Sequence, residues 1–258
     1  MKISFTSFSQ RGTGKAHNED AVLLDGQVNQ GRVREHGAVD ISQPHFFAVA
    51  DGVSSGTLPR TASRRLLELL QISLEKAPGT ASLPALLHQL QKDYVALGAN
   101  ATLYGMASTL VGVRLLGNVA TIFNVGDSRA YLLTRGDDGP HANLLSRDHS
   151  FVNDLVEEGE ITQEQSQDAA SFMRALTSQF IVDAEFDEFK VNVVTRTLHP
   201  GERLLLCSDG LNEVLSDAEI ATLLVGHADD DLLNVCKASR GAGGTDDFSV
   251  IVLASNPR

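Results

Sequence analysis

Four acidic sites in the sequence adjoin strand-like apolar segments, where their carboxylates could act together. They are Asn18-Glu19-Asp20, Ala50-Asp51-Gly52, Ser208-Asp209-Gly210 and Thr245-Asp246-Asp247. A carboxylate just past the end of a strand lies at the rim of a sheet, and several rims brought together form an oxygen-rich cluster. Hard cations such as Mg²⁺ and Mn²⁺ prefer oxygen ligands, whereas clustered carboxylates without a cation repel one another. The pattern therefore favours a divalent-metal site.

Each Asp-Gly pair alone has a simpler interpretation, because Asp-Gly is a common turn dipeptide. Two of these pairs are more informative, since they directly follow the apolar runs at 46–50 and 204–207. Glycine also lets the backbone approach closely, so that its carbonyl can join a metal shell.

The elements that position these residues are predicted from hydrophobic spacing. Leucines at helical spacing predict long helices over about Leu58 to Lys76 and Leu83 to Ala99. Further helices are predicted at about Phe151–Glu158, Thr162–Ala170 (capped by Thr162), Asp217–Leu224 and Asp229–Ala238. Strands are predicted at about Ser108–Leu115, Val119–Val125, Ala130–Thr134, Asn143–Leu145, Phe189–Arg196, Arg203–Cys207 and Phe248–Leu253.

The order of these elements favours the α+β class with largely antiparallel sheets, because strands and helices come in runs rather than in strict alternation. The polar stretch from Gln27 to Pro44 is predicted as a long loop or an irregular hairpin between two strands. Residues 147–187 contain two short predicted helices and little core material, so we expect a small flap subdomain within a single domain over 1–258.

Composition narrows the function classes. The chain has 258 residues and a formal net charge of −12, and the sequence contains no Lys/Arg cluster, which argues against nucleic-acid binding. No apolar run approaches the ~18–20 residues of a membrane span, and the N-terminal residues lack a signal-peptide core. We therefore expect a cytoplasmic protein with no membrane span.

The two cysteines do not support thiol-based phosphate chemistry. A thiol phosphatase needs an arginine six positions after its cysteine, but Cys207 is followed there by Glu213 and Cys236 by Ala242. Cys207 lies in an apolar run, so we expect it to be buried and reduced.

Six motifs in order resemble the protein phosphatase 2C family of metal-dependent serine/threonine phosphatases. They are Asn18-Glu19-Asp20, Ala50-Asp51-Gly52-Val53-Ser54-Ser55-Gly56, Gly105-Met106-Ala107-Ser108-Thr109-Leu110, Val125-Gly126-Asp127-Ser128-Arg129-Ala130, Cys207-Ser208-Asp209-Gly210-Leu211 and Gly244-Thr245-Asp246-Asp247-Phe248-Ser249-Val250. The resemblance runs from about Phe5 to Leu253. The short length and the stretch 145–150 are similar to the single-domain bacterial members.

The resemblance implies a four-layer αββα sandwich of two mostly antiparallel sheets flanked by helices, with the metals at one end. It implies that Asp51 bridges two ions, that the Gly52 carbonyl joins one of them, and that Asp209 and Asp246 complete the site.

Further residues are implied as accessory ligands. Asp20 and Glu19 match an acidic pair that acts directly or through water, and Asp127 matches a position linked to a third, weaker metal together with Asp209. The implied cofactors are Mn²⁺ or Mg²⁺, two ions with a possible third.

The implied reaction is hydrolysis of phosphoserine and phosphothreonine in proteins. Two cations ~3.5–4 Å apart activate a bridging water and offset the phosphate charge, so no covalent phosphoenzyme is needed. The implied partners are phosphorylated protein substrates and a cognate Ser/Thr kinase.

Two departures from the family pattern bear on catalysis. The position of the phosphate-gripping arginine holds Lys15, which keeps the charge but loses the bidentate fork; a plain surface lysine is the alternative interpretation. A histidine that some members have after the first Asp-Gly is replaced by Val53. His17 and His149 are candidate general acids, with solvent-facing or structural roles as the alternative.

Three alternative interpretations are consistent with the sequence. Asp127-Ser128-Arg129 could be only a tight turn with a salt bridge. The whole chain could be a catalytically silent regulator that binds phosphoproteins, although such members usually lose metal carboxylates. It could also hydrolyse another class of phosphoester.

Overall fold

The computed structural model describes residues 2–76, 82–167, 173, 175–224 and 228–255. The strands are β1 (Lys2–Gln10), β2 (Ala21–Leu24), β3 (Gln27–Gln30), β4 (Val33–Asp40), β5 (His45–Ala50), β6 (Ala107–Ser108), β7 (Leu110–Leu116), β8 (Val119–Val125), β9 (Arg129–Gly136), β10 (Gly139–Leu144), β11 (Phe180–Ile181), β12 (Asn192–Thr197), β13 (Arg203–Cys207) and β14 (Phe248–Ser255). The helices are α1 (Pro59–Lys76), α2 (Leu83–Val95), α3 (Phe151–Glu157), α4 (Gln163–Gln167), α5 (Asp209–Asn212), α6 (Asp217–Leu223) and α7 (Ala228–Gly241).

Two six-stranded sheets form the centre of the fold. The first has the order β10-β9-β13-β14-β1-β4 and the second has the order β12-β8-β7-β5-β2-β3. The pairings within both sheets are antiparallel. A two-stranded ladder of β6 and β11 lies beside them.

The central strands are apolar at successive positions because each sheet is covered on both faces. In β13, Leu204 and Leu206 pack in the core between the sheets, whereas Leu205 and Cys207 pack on the outer face. Side chains alternate between faces along a strand, so a run of four apolar residues supplies two cores at once. The same alternation explains the apolar run of β5.

The helices cover the two outer faces. Leucines of α1 and α2 pack on the second sheet, and apolar residues of α5, α6 and α7 pack on the first. The resulting layers are helix, sheet, sheet and helix. The predicted α+β class and αββα sandwich are confirmed, as are the two long helices, the second of which continues into a 3₁₀ turn at Ala96–Ala99.

One prediction from the sequence is wrong. The stretch from Gln27 to Pro44 is neither a loop nor a hairpin, because it contains β3 and β4, which belong to different sheets. The periodic signal is weak because both are edge strands. In β4 only Val33 and Val39 are buried, so the strand presents mostly polar side chains to solvent.

The predicted helix cap at Thr162 agrees with the structure, whereas a predicted strand start shifts. The Thr162 hydroxyl accepts a hydrogen bond from the backbone N–H of Gln165, so Thr162 caps α4 as predicted. That helix is described to Gln167, and its predicted remainder at 168–170 lies outside the described residues. The strand predicted from Phe189 begins at Asn192. Among the described residues, none of the helices has the length and apolar character that a bilayer crossing requires.

Candidate metal centre

The second sheet brings two predicted metal ligands to one end of the sandwich. Asp51 follows the end of β5 and Asp20 precedes β2, and the antiparallel register pairs Ala21 with Ala50. The backbone carbonyl of Asp51 accepts hydrogen bonds from the Thr109 N–H at 2.9 Å and the Ser108 hydroxyl at 2.8 Å. These contacts fix the strand end, so the two carboxylates are held side by side.

The first sheet contributes the other two carboxylates at the same end. Asp209 follows β13 and begins α5, and Asp246 precedes β14. The register pairs Cys207 with Val250, so the end of β13 lies beside the start of β14. The Ser208 hydroxyl donates to Asp20 at 2.8 Å. This bond links the two sheets at the site.

Glycine is required after both central aspartates. A Cβ at Gly52 would overlap the carbonyl of Pro59, and a Cβ at Gly210 would overlap the carbonyl of Asp247. The Asp-Gly pairs are therefore close-packed junctions between a strand end and a neighbouring segment.

Burial and mutual repulsion make the aspartates of the cluster weak acids for their type. Burial raises the pKa of Asp51 well above its usual range, and the charges of Asp20, Asp209 and Asp246 raise it further. Burial also raises the pKa of Asp20 to about 7, against hydrogen bonds from Ser249 and Ser208. The cluster is therefore poorly compensated by protein groups alone.

The pKa of Asp209 is raised as well, first by burial and then by the charges of Asp127, Glu213 and Asp246. A hydrogen bond between the Asp209 and Asp51 side chains opposes this rise. That contact brings together ligands from the two different sheets.

The donor set fits divalent cations. Within the described part of the chain, Asp20 Oδ1 and Asp209 Oδ1 are buried without a hydrogen-bond partner. A buried carboxylate oxygen without a partner is costly unless a cation meets it. Carboxylate oxygens are the ligands that Mg²⁺ and Mn²⁺ prefer.

Glu213 was missed by the sequence interpretation. Single oxygens of Asp209, Glu213 and Asp246 all lie within 4.8 Å of one another, a spacing that suits one metal ion. Glu213 follows Asp209 by four positions, and the Glu213 N–H donates to the Asp209 carbonyl in a helical turn. The i,i+4 spacing was the signal available in the sequence.

Lys15 is not a plain surface lysine. Its Nζ lies 2.9 Å from Glu19 Oε2 and 3.3 Å from Asp247 Oδ2, and it also contacts Asp246 Oδ1. Burial lowers the pKa of Lys15, but hydrogen bonds to Asp246 and Glu19 outweigh burial and raise the pKa above its usual value. The ammonium group therefore stays protonated at neutral pH.

Asp247 is a second residue that the sequence interpretation did not assign. Its buried carboxylate accepts from the backbone N–H groups of Gly12 at 2.7 Å and Glu19 at 2.8 Å. Asp247 thus ties the Lys15 loop to the acidic cluster. The Glu19 carboxylate itself is bonded to Lys15 and to the Ser54 hydroxyl.

Asp127 lies in the turn between β8 and β9, close enough for its charge to act on Asp209. Burial and the charge of Asp148 raise the pKa of Asp127 to about 7. The alternative interpretation of this turn was a salt bridge within Asp127-Ser128-Arg129, but Arg129 pairs with Asp148 instead, with Nη2 2.7 Å from Oδ2. The turn is therefore braced by Asp148, and the Asp127 carboxylate is not the partner of that arginine.

The two candidate histidines differ. His17 is exposed, whereas His149 is buried, and its Nδ1 accepts a hydrogen bond from the Gly126 N–H at 3.0 Å. Burial lowers the pKa of His149 to about 4, so the ring is neutral and structural. Cys207 is buried as predicted, and burial raises the pKa of its thiol to about 12.

Comparison with known proteins identifies the family of this chain. A sequence model of the family described as "Protein phosphatase 2C" matches residues 18–237. The chain is 28% identical to the serine/threonine protein phosphatase PstP of Mycobacterium tuberculosis over 260 residues, which cover 98% of this chain and 45% of that protein. The chain thus spans less than half the length of this relative.

Two further comparisons are with a relative of similar length and with a solved catalytic domain. The chain is 28% identical to the serine/threonine phosphatase Stp of Listeria innocua over 250 residues, which cover 89% of this chain and 94% of that protein. It is 28% identical to a solved catalytic domain of PstP in complex with two manganese ions, with a TM-score of 0.74 and full coverage of both chains. From the matched family model, the shared sandwich and the carboxylate cluster, we conclude that this chain belongs to the metal-dependent protein phosphatase 2C family.

Proposed function

We propose that this chain is a protein-serine/threonine phosphatase that hydrolyses phosphoserine and phosphothreonine in protein substrates. The observation that supports this most directly is the convergence of Asp20, Asp51, Asp209 and Asp246 at one end of the sandwich, with two buried oxygens that lack protein partners. A cluster of this kind is suited to divalent cations rather than to a thiol or serine nucleophile.

In this proposal Asp51, Asp209 and Asp246 hold two ions, Mn²⁺ or Mg²⁺, and the Gly52 carbonyl joins the shell of one. Asp20 and Glu19 act directly or through water. When bound, such a pair of ions supplies an activated water and offsets negative charge on the phosphate. Asp127 is the proposed ligand of a third, weaker ion together with Asp209. Glu213 is a further proposed ligand, because one of its oxygens lies within 4.8 Å of oxygens of Asp209 and Asp246.

The protein groups around the cluster position it. Hydrogen bonds from Ser108 and Thr109 orient the Asp51 backbone, and the Ser208 hydroxyl orients Asp20. Fixed ligands reduce the reorganisation that would otherwise oppose the reaction.

Lys15 is the proposed phosphate-binding group. Its ammonium is held at the acidic cluster by Glu19, Asp246 and Asp247, and it is protonated at neutral pH. It can neutralise one phosphate oxygen as a point charge, without the bidentate geometry of an arginine.

The chain is proposed to be a single catalytic domain over 1–258 with a flap subdomain at about 147–187. In the described part of that segment, Arg147 pairs with Asp154 and Glu157, and Lys190 also reaches Asp154. This network of charges holds α3 beside the start of the flap. A cognate Ser/Thr kinase and a cytoplasmic location remain predictions from the sequence.

A metal titration tests the proposed function. We expect hydrolysis of an aryl phosphate and of a phosphothreonine peptide that requires Mn²⁺ or Mg²⁺ and is lost in Asp209→Asn. Asp187→Asn, an exposed aspartate in the flap segment, is the matched control and should keep full activity. Turnover by the wild type that persists under full chelation would refute the metal-dependent mechanism.

The same assay separates the alternatives. A silent phosphoprotein-binding regulator would bind no divalent cation at millimolar concentration in calorimetry and would show no turnover. A hydrolase of another phosphoester would prefer nucleotide substrates over phosphopeptides at equal concentration.

A further inference from the structure

A cavity of about 380 Å³ adjoins the metal centre and is lined by basic and neutral residues. Arg11, Arg32 and Arg60 lie on its walls together with His17 and Asn18, and none of the described residues that line it is acidic. The volume falls in the range of pockets that bind small ligands or single side chains, roughly 300–1,000 Å³.

Among the residues that the structure describes, none of the carboxylates pairs with the arginines of this cavity. Arg11 donates to the Ala16 carbonyl and Arg60 to the Gln30 side-chain oxygen, and Arg32 has no hydrogen bond or ion pair within the described ranges. The chain has a formal net charge of −12, so a cavity whose described lining includes three arginines and no carboxylate is a local region of positive charge. A guanidinium group with free N–H donors is suited to carboxylate or phosphate oxygens.

The cavity shares a wall with the metal centre. Asn18 is buried and lines the cavity, and its side-chain oxygen accepts from the Asp20 N–H at 3.0 Å. The Asn18 amide nitrogen donates to Ser9 and to the Gly31 carbonyl, which fixes the wall. On the same loop, Lys15 turns towards the acidic cluster.

A short stretch of chain connects the wall of the cavity to the metal centre. Asn18 and Asp20 are two residues apart, so their Cα atoms are separated by no more than about 7 Å. An extended peptide advances ~3.3–3.6 Å per residue. An acidic group about two to four residues from the phosphorylated residue could therefore reach the arginines while the phosphate lies at the metal centre.

We propose that this basic cavity is a substrate subsite that selects phosphoproteins with an anionic side chain, carboxylate or second phosphate, flanking the scissile phosphoresidue. The proposal rests on the phosphatase function proposed above. An extended nucleic acid does not fit the charge pattern, because the three arginines occupy a single cavity on a protein with a formal net charge of −12.

The test is a series of phosphothreonine peptides with neutral flanks in which a single glutamate is moved from position −4 to +4. The kcat and KM of each peptide are measured with Mn²⁺ for the wild type, Arg32→Gln, Arg60→Gln and the double variant. Arg196→Gln is the matched control, because Arg196 is exposed on β12 outside the cavity. Arg32→Gln removes no hydrogen bond that the structure gives to this residue, so it should leave folding intact.

We expect glutamate at one or two positions to raise kcat/KM of the wild type by about tenfold, mainly through KM. Each single variant should lose about threefold of this advantage and the double variant nearly all of it, in line with solvent-exposed ion pairs. The advantage should also shrink with rising salt. Turnover of the neutral peptide and of an aryl phosphate should be unchanged in all variants.

Three results would overturn the proposal. They are an advantage of acidic peptides that survives in the double variant, an equal loss for neutral and acidic peptides, and an effect of Arg196→Gln as large as that of Arg32→Gln. Inorganic sulfate tests whether the cavity binds a free anion rather than an acidic peptide. If sulfate raises the melting temperature only when the arginines are present, while acidic peptides gain no advantage, the cavity binds free anions and the peptide proposal is wrong.

Failure of the proposed function would look different, because no phosphopeptide of either kind would be hydrolysed. In that case fluorescence anisotropy with an unphosphorylated acidic peptide still tests the cavity. Binding that the double variant loses supports an anionic-peptide subsite, and binding that it keeps refutes it.

Discussion

Replacing Asp209 with asparagine should stabilise the metal-free protein and at the same time remove its response to metal. Single oxygens of Asp209, Asp246 and Glu213 lie within 4.8 Å of one another. At that distance two unit charges repel by about 3.5 kcal/mol at an effective dielectric constant of about 20, and by about 0.9 kcal/mol in bulk water. Asparagine keeps the shape and removes the charge.

The expected gain in the free energy of unfolding is smaller than the sum of these pairwise repulsion energies. Glu213 is exposed, so its repulsion is close to the value in water, and Lys15 already offsets part of the charge of Asp246. Proton uptake limits the cost further, since the pKa of Asp209 is raised. We therefore expect Asp209→Asn to raise the free energy of unfolding of the metal-free protein by about 2 kcal/mol, and its melting temperature by about 4 °C.

With metal bound, the wild type should be more stable than Asp209→Asn, which reverses their order in the metal-free state. A ligand at a hundredfold excess over its Kd stabilises the folded state by about 2.7 kcal/mol, and asparagine is a poor substitute for a bridging or terminal carboxylate. Differential scanning fluorimetry with EDTA and with a Mn²⁺ series measures both effects, with Asp187→Asn as the control. A metal-free Asp209→Asn protein that melts below the wild type, or a variant that keeps the full Mn²⁺ shift, would refute the reasoning.

Three further perturbations have defined outcomes. Gly52→Ala should destabilise the protein by about 2–3 kcal/mol in urea unfolding, because the new Cβ meets the Pro59 carbonyl. A melting temperature equal to that of the wild type would contradict this packing. The unfolded chain protonates His149 near pH 6.5 and the folded chain only near pH 4. The contribution of His149 to stability is therefore full above pH 6.5, and about 3 kcal/mol of it is lost as the pH drops to 4. His149→Asn should reduce the change in the free energy of unfolding between pH 6.5 and 4. An unchanged slope would show that His149 is not the source of this pH dependence. Arg129→Lys should cost about 1–2 kcal/mol in urea unfolding, because lysine cannot make the bidentate contact with Asp148; no loss would show that the pair is not stabilising.

Local patterns predicted much of the fold. The leucine spacing of α1 and α2 and the apolar runs of β5 and β13 identified the elements, because periodicity follows from which faces are buried. The edge strand β4 was not predicted, because most of its side chains are not buried and its sequence is therefore not periodic. With only Val33 and Val39 buried, it has no periodic signal, and its pairing with β1 is a property of the assembled sheet.

By itself, the sequence determined the types of ligand and their location at strand ends, since Asp-Gly after an apolar run is a local signal. Only the tertiary structure decided which carboxylates meet. Asp20 and Asp51 come from one sheet and Asp209 and Asp246 from the other, and their contact depends on how the sheets stack.

The basic cavity is also a feature that the tertiary structure decides and the sequence alone does not. The sequence contains no Lys/Arg cluster, yet Arg11, Arg32 and Arg60 line one cavity because three separate segments pack together there. Likewise, Lys15 could be read as a surface residue until its carboxylate partners were placed. Backbone periodicity is encoded within a few neighbouring residues, whereas charge clusters arise from contacts between residues distant in sequence, which the packing of the two sheets brings together.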